Sequence, residues 1–413
     1  MKKLNLLFGI TLSILVLSKD SFAQTRTSIN RDSLLGQLNT ITTAVPFLLI
    51  APDARAGGMG DNGVATSADP ASIHWNASKL ATADKEVGFS ISYTPWLRAL
   101  VDDINLAYLS GYRKLKNNQA IGISLLYFSL GNIQFTDQFG NPNGSFNPNE
   151  FAFNIAYARK LGEKLSGGLT LKYIYSNLTG NAFAEGSVAT RAGRSVAADL
   201  SMLYKTEVKV GGKKAVYSAG MNISNLGAKI SYTETGVRDF IPANFRLGNS
   251  LKFELDQYNT ITISADINKL LVPTQPIYYQ RADGTGDSTD VDGNRVVLLG
   301  KDPTTVGVPE AVFSSWSDAP AGFKEELREI IWNVATEYWY DNQFAVRAGF
   351  FHESATKGNR QFFTLGAGLK YNVFGLDFAY LIPTTQRNPL ENTLRFTLTF
   401  DFDGLKKDNK ENE

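Results

Sequence analysis

Side-chain alternation governs this chain from residue 86 to residue 402. Phe89, Ile91 and Tyr93 share one parity, as do Ile121, Ile123, Leu125 and Tyr127, and then Phe151, Phe153, Ile155 and Tyr157. Leu165, Gly167, Leu169, Leu171, Tyr173 and Tyr175 hold the spacing across six positions, and Leu394, Phe396, Leu398, Phe400 and Phe402 end the series. Side chains two apart stand on one face of a strand, so each segment reads as a strand with two unlike faces. Roughly ten residues of this pattern is the length of a tilted strand that crosses a bilayer. Beyond the N-terminus no 18 consecutive residues are apolar, which excludes helical spans.

We count about fourteen such segments, the even strand number of a bacterial membrane barrel. They lie near 86–96, 103–113, 119–130, 150–160, 165–178, 194–206, 213–223, 244–255, 259–268, 329–340, 343–352, 361–371, 373–382 and 392–402. Short connections such as 114–118, 162–164, 256–258 and 341–342 alternate with long ones at 131–149, 179–193, 224–243 and 269–328; the turn near 207–212 is the least clear. Segregation of turns by length is a barrel property that a soluble sandwich has no reason to share. The expected fold is an all-β, transmembrane antiparallel barrel with short periplasmic turns. An even count places both termini on the periplasmic side.

If the aromatic rows face lipid, the opposite rows face the lumen. That puts Lys172, Asp199, Arg246, Asp266, Glu337, Arg347, Lys370, Asp377 and Arg395 inside, where they escape the cost of about 2–4 kcal/mol that a Lys or Arg meets on the lipid side at mid-depth. The mixed signs predict a polar network around a plug. Trp96, Trp332 and Trp339 suit the interfacial girdles.

Residues 1–23 have the form of a secretory signal: Lys2 and Lys3, an apolar run from Leu4 to Leu17, and Ser21-Phe22-Ala23 before the expected cut. Residues 24–85 form an arm and a hatch or plug, 86–402 the barrel, and 403–413 a charged periplasmic tail. The hatch carries Gly57-Gly58-Met59-Gly60, which lacks the Lys-Ser/Thr of a phosphate loop and reads as close backbone packing.

Little points to catalysis. The chain has no Cys, which removes thiolate sites and disulfides. His74 and His352 stand far apart, and no Gly-x-Ser-x-Gly elbow occurs, so no enzyme, metal or cofactor is expected. The run Asp283–Asn294 has a loose calcium-loop spacing, but Arg295 replaces the turn glycine. A net charge of +1 gives no nucleic-acid signal. The 269–328 loop is too long for a passive connection. Its apolar residues Leu271, Val272, Trp316 and Phe323 are the expected partner-binding surface, and Phe323–Glu329 reads as a short helix.

The segments Ala54–Gly60 and Asn76–Leu80, with about fourteen strands, resemble the FadL-like outer-membrane proteins; the hatch motif of that group has Pro where this chain has Ala77. Closer is the PorV (LptO) family of the Bacteroidetes type IX secretion system. Ala44–Arg55, Glu337–Glu353, Lys357–Arg360, Leu376–Pro383 and Asn388–Phe396 are similar to it. That resemblance implies an outer-membrane protein in contact with membrane lipid. It also implies binding to the C-terminal domains of secreted cargo, association with an SprA-type translocon, and delivery to a PorU-type attachment complex. The FadL-like resemblance implies the alternative, a transporter of hydrophobic small molecules.

Overall fold

The computed structural model describes residues 34–136, 139–178, 180, 190–233, 236, 238–281, 286–291, 293–385 and 388–403. The expected signal peptide, the first residues of the arm and all of the charged tail but Asp403 lie outside the described residues.

The first strands are β1 (Val87–Pro95), β2 (Ile104–Leu115) and β3 (Gln119–Leu130), then a small hairpin of β4 (Ile133–Thr136) and β5 (Pro142–Phe146). β6 (Asn149–Lys160), β7 (Leu165–Asn177), β8 (Gly193–Val210), β9 (Lys213–Gly227), β10 (Asn244–Glu254) and β11 (Asn259–Leu270) follow. A second hairpin, β12 (Ile277–Tyr278) with β13 (Val297–Leu299), precedes β14 (Ile331–Tyr340) and β15 (Phe344–His352). The last are β16 (Gln361–Tyr371), β17 (Phe374–Pro383) and β18 (Leu394–Phe402). Outside the two hairpins, fourteen strands close into an antiparallel barrel in chain order. The ring is completed by β1 against β18, from Val87↔Phe402 to Tyr93↔Phe396, which leaves no free sheet edge. These are the fourteen segments expected from alternation. β8 and β9 run further than expected because Gly211 and Gly212 (φ 58° and 79°) make a tight reversal in the stretch that was hardest to read. Asn117–Asn118 and Asp341–Asn342 also carry two successive positive φ values, the requirement of a two-residue hairpin turn.

The two faces of the wall differ as the sequence requires. Along β3, Ile121, Ile123, Leu125 and Tyr127 are exposed, while Ala120, Ser124 and Leu126 are buried. Many inward residues of the early strands are small: Ser90, Ser92, Ser110, Ser124, Ala152, Ala156 and Ala158. That leaves room for a filling, which residues 46–83 supply. The filling comprises a 3-10 turn at Pro46–Leu49, α1 (Ala54–Gly57), α2 (Ser72–Trp75) and a second 3-10 turn at Ala77–Thr82. Phe47, Trp75, Leu106, Tyr108, Leu126 and Ile174 form one apolar cluster between filling and wall.

The plug runs the length of the lumen. Upstream, the Asn39 N–H donates to Thr356 O and the Ala44 N–H to Phe240 O, both in long loops. Downstream, Lys114 Nζ donates to Ala83 O (2.6 Å) beside the short turns, and Lys85 pairs with Asp403. The expectation that both termini share one side concerns chain ends outside the described residues, but the described residues nearest them lie at opposite ends. Asp403 lies at the short-turn end, but residues 34–45 lie among the long loops. An even strand count fixes where β1 begins; it says nothing about a segment that first traverses the lumen.

Candidate functional site

The plug is fastened to the wall by charge and by backbone proximity. Asp53 caps α1 by accepting from the Ala56 N–H (2.8 Å), and its other oxygen accepts from Trp75 Nε1 (2.7 Å). Arg55 then projects to the wall, where Nε and Nη2 grip the two oxygens of Glu337 at 2.9 Å each, and Nη1 reaches Asp69. Asp266 accepts from the Gly63 and Val64 N–H groups (2.9 and 3.0 Å), and Arg395 pairs with Asp61 (2.8 Å). Asn76 ties its own turn by accepting from the Ser78 N–H and reaches across to Val64 O and Met202 O. The glycine run allows the contact: a Cβ on Gly60 (φ 64°) would lie 2.9 Å from Phe350 N, and one on Gly349 would lie 2.2 Å from Gly60 N.

The expected lumen residues all point inward, but they do not form one network. Glu337, Arg347 and Asp377 join Arg55 in a chain, with Arg347 Nε to Glu337 at 2.7 Å and Nη1 to Asp377 at 2.6 Å. Asp199 pairs separately with Lys172 (2.8 Å). Arg246 stacks over Trp75 at 4.8 Å rather than joining an ion pair, and Lys370 pairs with Asp401 nearer the short turns.

The long loop between β11 and β14 holds a second buried cluster, which the sequence reading missed. It contains α3 (Val308–Ser314) and α4 (Phe323–Arg328). Lys269 Nζ bridges Glu326 (3.0 Å) and Glu329 (2.6 Å); Lys357 Nζ, from the β15–β16 loop, bridges Glu325 (2.6 Å) and Glu329 (2.9 Å). Thr274 Oγ1 also donates to Glu329, the free oxygens of Glu326 and Glu325 accept from the Ala319 and Ala321 N–H groups, and Asn39 of the arm reaches Glu325. Burial, with Glu326 and Glu329 nearby, pushes the Asp318 carboxyl up to about 6. Three segments distant in sequence are thus pinned together by two ammonium groups.

With its glutamates turned inward, α4 turns Phe323 (74% exposed) and Leu327 (52% exposed) outward. Its amphipathicity is the reverse of a surface helix. Phe313 and Trp316 in the same loop are also exposed, and Trp316 meets Phe245 edge-on at 5.6 Å. Leu271 and Val272 are another matter. At 2% and 1% exposure they pack with Phe240, Ala243, Val306 and Ala311 in the interior of the loop, so their side chains are not part of its outer surface. An apolar pair next to a strand end reads the same whether it faces a partner or its own loop.

His74 packs edge-on against Trp75, and His352 lies against Trp332, each with ring centroids 4.9 Å apart. Among the described residues no group of three or more His, Asp or Glu is placed to hold a metal ion. The calcium-like run lies partly outside the described residues; in its visible part the Asn294 N–H donates to Asp290 (2.8 Å).

A closed barrel with an apolar outer face and an ion-paired plug defines an outer-membrane β-barrel protein. The family described as Type IX secretion system protein PorV matches residues 34–277, more than half of the chain. The chain belongs to that family and is an outer-membrane component of the type IX secretion system. No curated protein sequence matches it. The chain is also similar to solved structures at low identity. One is the Pseudomonas putida toluene transporter TodX (12% identical, 88% of this chain and 98% of that one, TM-score 0.46). A second is the Ralstonia pickettii toluene transporter TbuX (12%, 86% and 98%, TM-score 0.45). A third is a Pseudomonas aeruginosa FadL homologue (11%, 88% and 100%, TM-score 0.41). Nothing further rests on these distant likenesses.

Proposed function

We propose that this protein is a non-catalytic carrier that binds the C-terminal domain of secreted cargo at its long-loop face, docks on an SprA-type translocon and hands cargo to a PorU-type attachment complex. The observation that carries this reading is the reversed helix α4. Exposed Phe and Leu on a rigidly pinned loop are the chemistry of a partner surface, since large exposed apolar groups rimmed by polar ones mark interaction sites. The barrel acts as the anchor in lipid. In this reading the long loops face outside the cell and the short turns face the periplasm, with 24–85 as arm and plug, 86–402 as the membrane unit and 403–413 as a periplasmic tail.

The test is a pull-down of a purified cargo C-terminal domain by the detergent-solubilised protein. Phe323→Ala with Leu327→Ala should weaken capture by at least about tenfold, because truncating a central apolar anchor costs about 2 kcal/mol or more. Barrel integrity is checked by its heat-modifiable electrophoretic mobility. Unchanged capture by a folded variant would refute the assignment of this surface.

A further inference from the structure

At the short-turn end the plug stops short of the barrel mouth and leaves a vestibule. A cavity of about 780 Å³ opens there beside Thr82 and Ala83, and Lys114, Lys160, Lys164 and Lys205 line it. Alternation explains why these four side chains meet. Lys114 continues the inward row of Tyr108, Ser110 and Tyr112; Lys160 continues that of Ala156 and Ala158; Lys205 continues that of Ser201 and Leu203; Lys164 stands two before the buried Ser166. They face the lumen and not the lipid.

The positive charge here is only partly neutralised within the cavity, and the hairpin beyond it adds to it. Lys114 donates to Ala83 O, and Lys160, Lys164 and Lys205 enter no ion pair or side-chain hydrogen bond among the described residues; Asp84, Glu163 and Glu207 also line the cavity, so four ammonium groups face three carboxylates. The opposite side of the mouth is balanced, with Lys370 on Asp401 and Lys85 on Asp403. The β8–β9 hairpin extends past Leu165↔Tyr204, its last rung with β7, and carries exposed Lys209, Lys213 and Lys214 beyond the rim. In a chain of net charge +1 this is a local excess of cations in a concave, low-dielectric frame, which focuses the field on an incoming anion.

We propose that this vestibule binds an acidic polypeptide segment through its Asp and Glu carboxylates. The cations come from separate strands spread along an arc. That spacing suits carboxylates distributed along an extended chain and not one compact ion, which convergent donors or an Arg fork would grip. The cavity is of the size that encloses several side chains. A lipid headgroup is disfavoured because the ammonium groups project into the lumen. On the orientation proposed above, the segment belongs to a periplasmic protein, but the binding itself does not depend on that orientation.

The experiment uses the full chain in detergent micelles and a fluorescent hexaglutamate peptide, read by anisotropy. The combined variant Lys160→Gln, Lys164→Gln and Lys205→Gln should bind at least about tenfold more weakly, and added salt should weaken the native protein far more than the variant. A fluorescent hexaglutamine peptide should not bind. Equal binding by native and variant protein, or binding of the neutral peptide, would overturn the site. Displacement by inorganic phosphate as effective as by unlabelled hexaglutamate would overturn the polypeptide ligand. If the triple variant fails to fold, Lys205→Gln and Lys164→Glu are measured singly, each expected to weaken binding by about twofold or more; no change in either overturns the proposal.

Discussion

Glu337 and Arg347 sit directly opposite each other on adjacent strands, and the carboxylate that Arg347 holds at 2.7 Å is the one that Arg55 grips from the plug. One wall carboxylate therefore satisfies two buried guanidinium groups from different parts of the chain. Glu337→Gln removes the carboxylate they share and leaves Arg55 with Asp69 and Arg347 with Asp377, so the cost falls below the about 3–5 kcal/mol of a buried charge left with no partner at all. The measurement is urea unfolding in lipid vesicles. A second change, Arg55→Gln, should add much less to Glu337→Gln than it costs alone, because the residues share one network.

The close approach of Gly60 to Phe350 predicts a plug-specific defect. Gly60→Ala combines a left-handed backbone with a clash against main chain that cannot move aside. It should destabilise the plugged state by about 1–3 kcal/mol and raise single-channel conductance in planar bilayers. Gly36→Ala, with nothing within 4 Å of the added methyl, should leave conductance unchanged.

The threaded plug predicts sidedness. The chain has no cysteine, so Leu38→Cys and Lys209→Cys give clean single labels. Leu38 is 80% exposed among the long loops, whereas Lys209 lies on the hairpin at the other end. In intact cells a membrane-impermeant maleimide should modify Leu38→Cys and spare Lys209→Cys until the envelope is permeabilised. The reverse pattern would invert the orientation.

Asp318 gives the loop a pH dependence. Its folded carboxyl titrates at about 6 against an ordinary 3.8, raised first by burial and then by Glu326. The folded loop thus holds a proton that the open loop releases. Its contribution is complete below pH 3.8 and is lost as pH rises through 6. Hydrogen exchange across 315–329, corrected for intrinsic rates, should report more frequent opening at pH 8 than at pH 5, and Asp318→Asn should flatten the difference.

Much of the architecture was legible because a lipid-facing strand cannot hide its period. Ile121 to Tyr127 and Leu394 to Phe402 announce their faces without any partner. The wall charges were legible for the same reason, since the residues opposite an apolar row must look inward. What they touch was not. Arg55 lies 282 positions from Glu337, and Lys357 lies 28 from Glu329, so no local pattern pairs them. Phe323–Glu329 was legible as a short helix, but the burial of its glutamates was not, because a 3.6-residue period tells which side chains cluster and not which side faces in. Leu271 and Val272 were misplaced by the same ambiguity. The path of residues 34–45 was hidden entirely, as a non-repeating segment carries no signal of depth.

A segment held at one rim by Asn39 and Ala44, and leaving at the other by Ala83, has a consequence for biogenesis. If the hoop of strands is finished first, the free N-terminal end has to be drawn from one rim to the other through the bore that this same segment then fills. If the seam between the first and last strands shuts last, the segment is enclosed without threading, so the topology ties the placing of the plug to the closing of the ring.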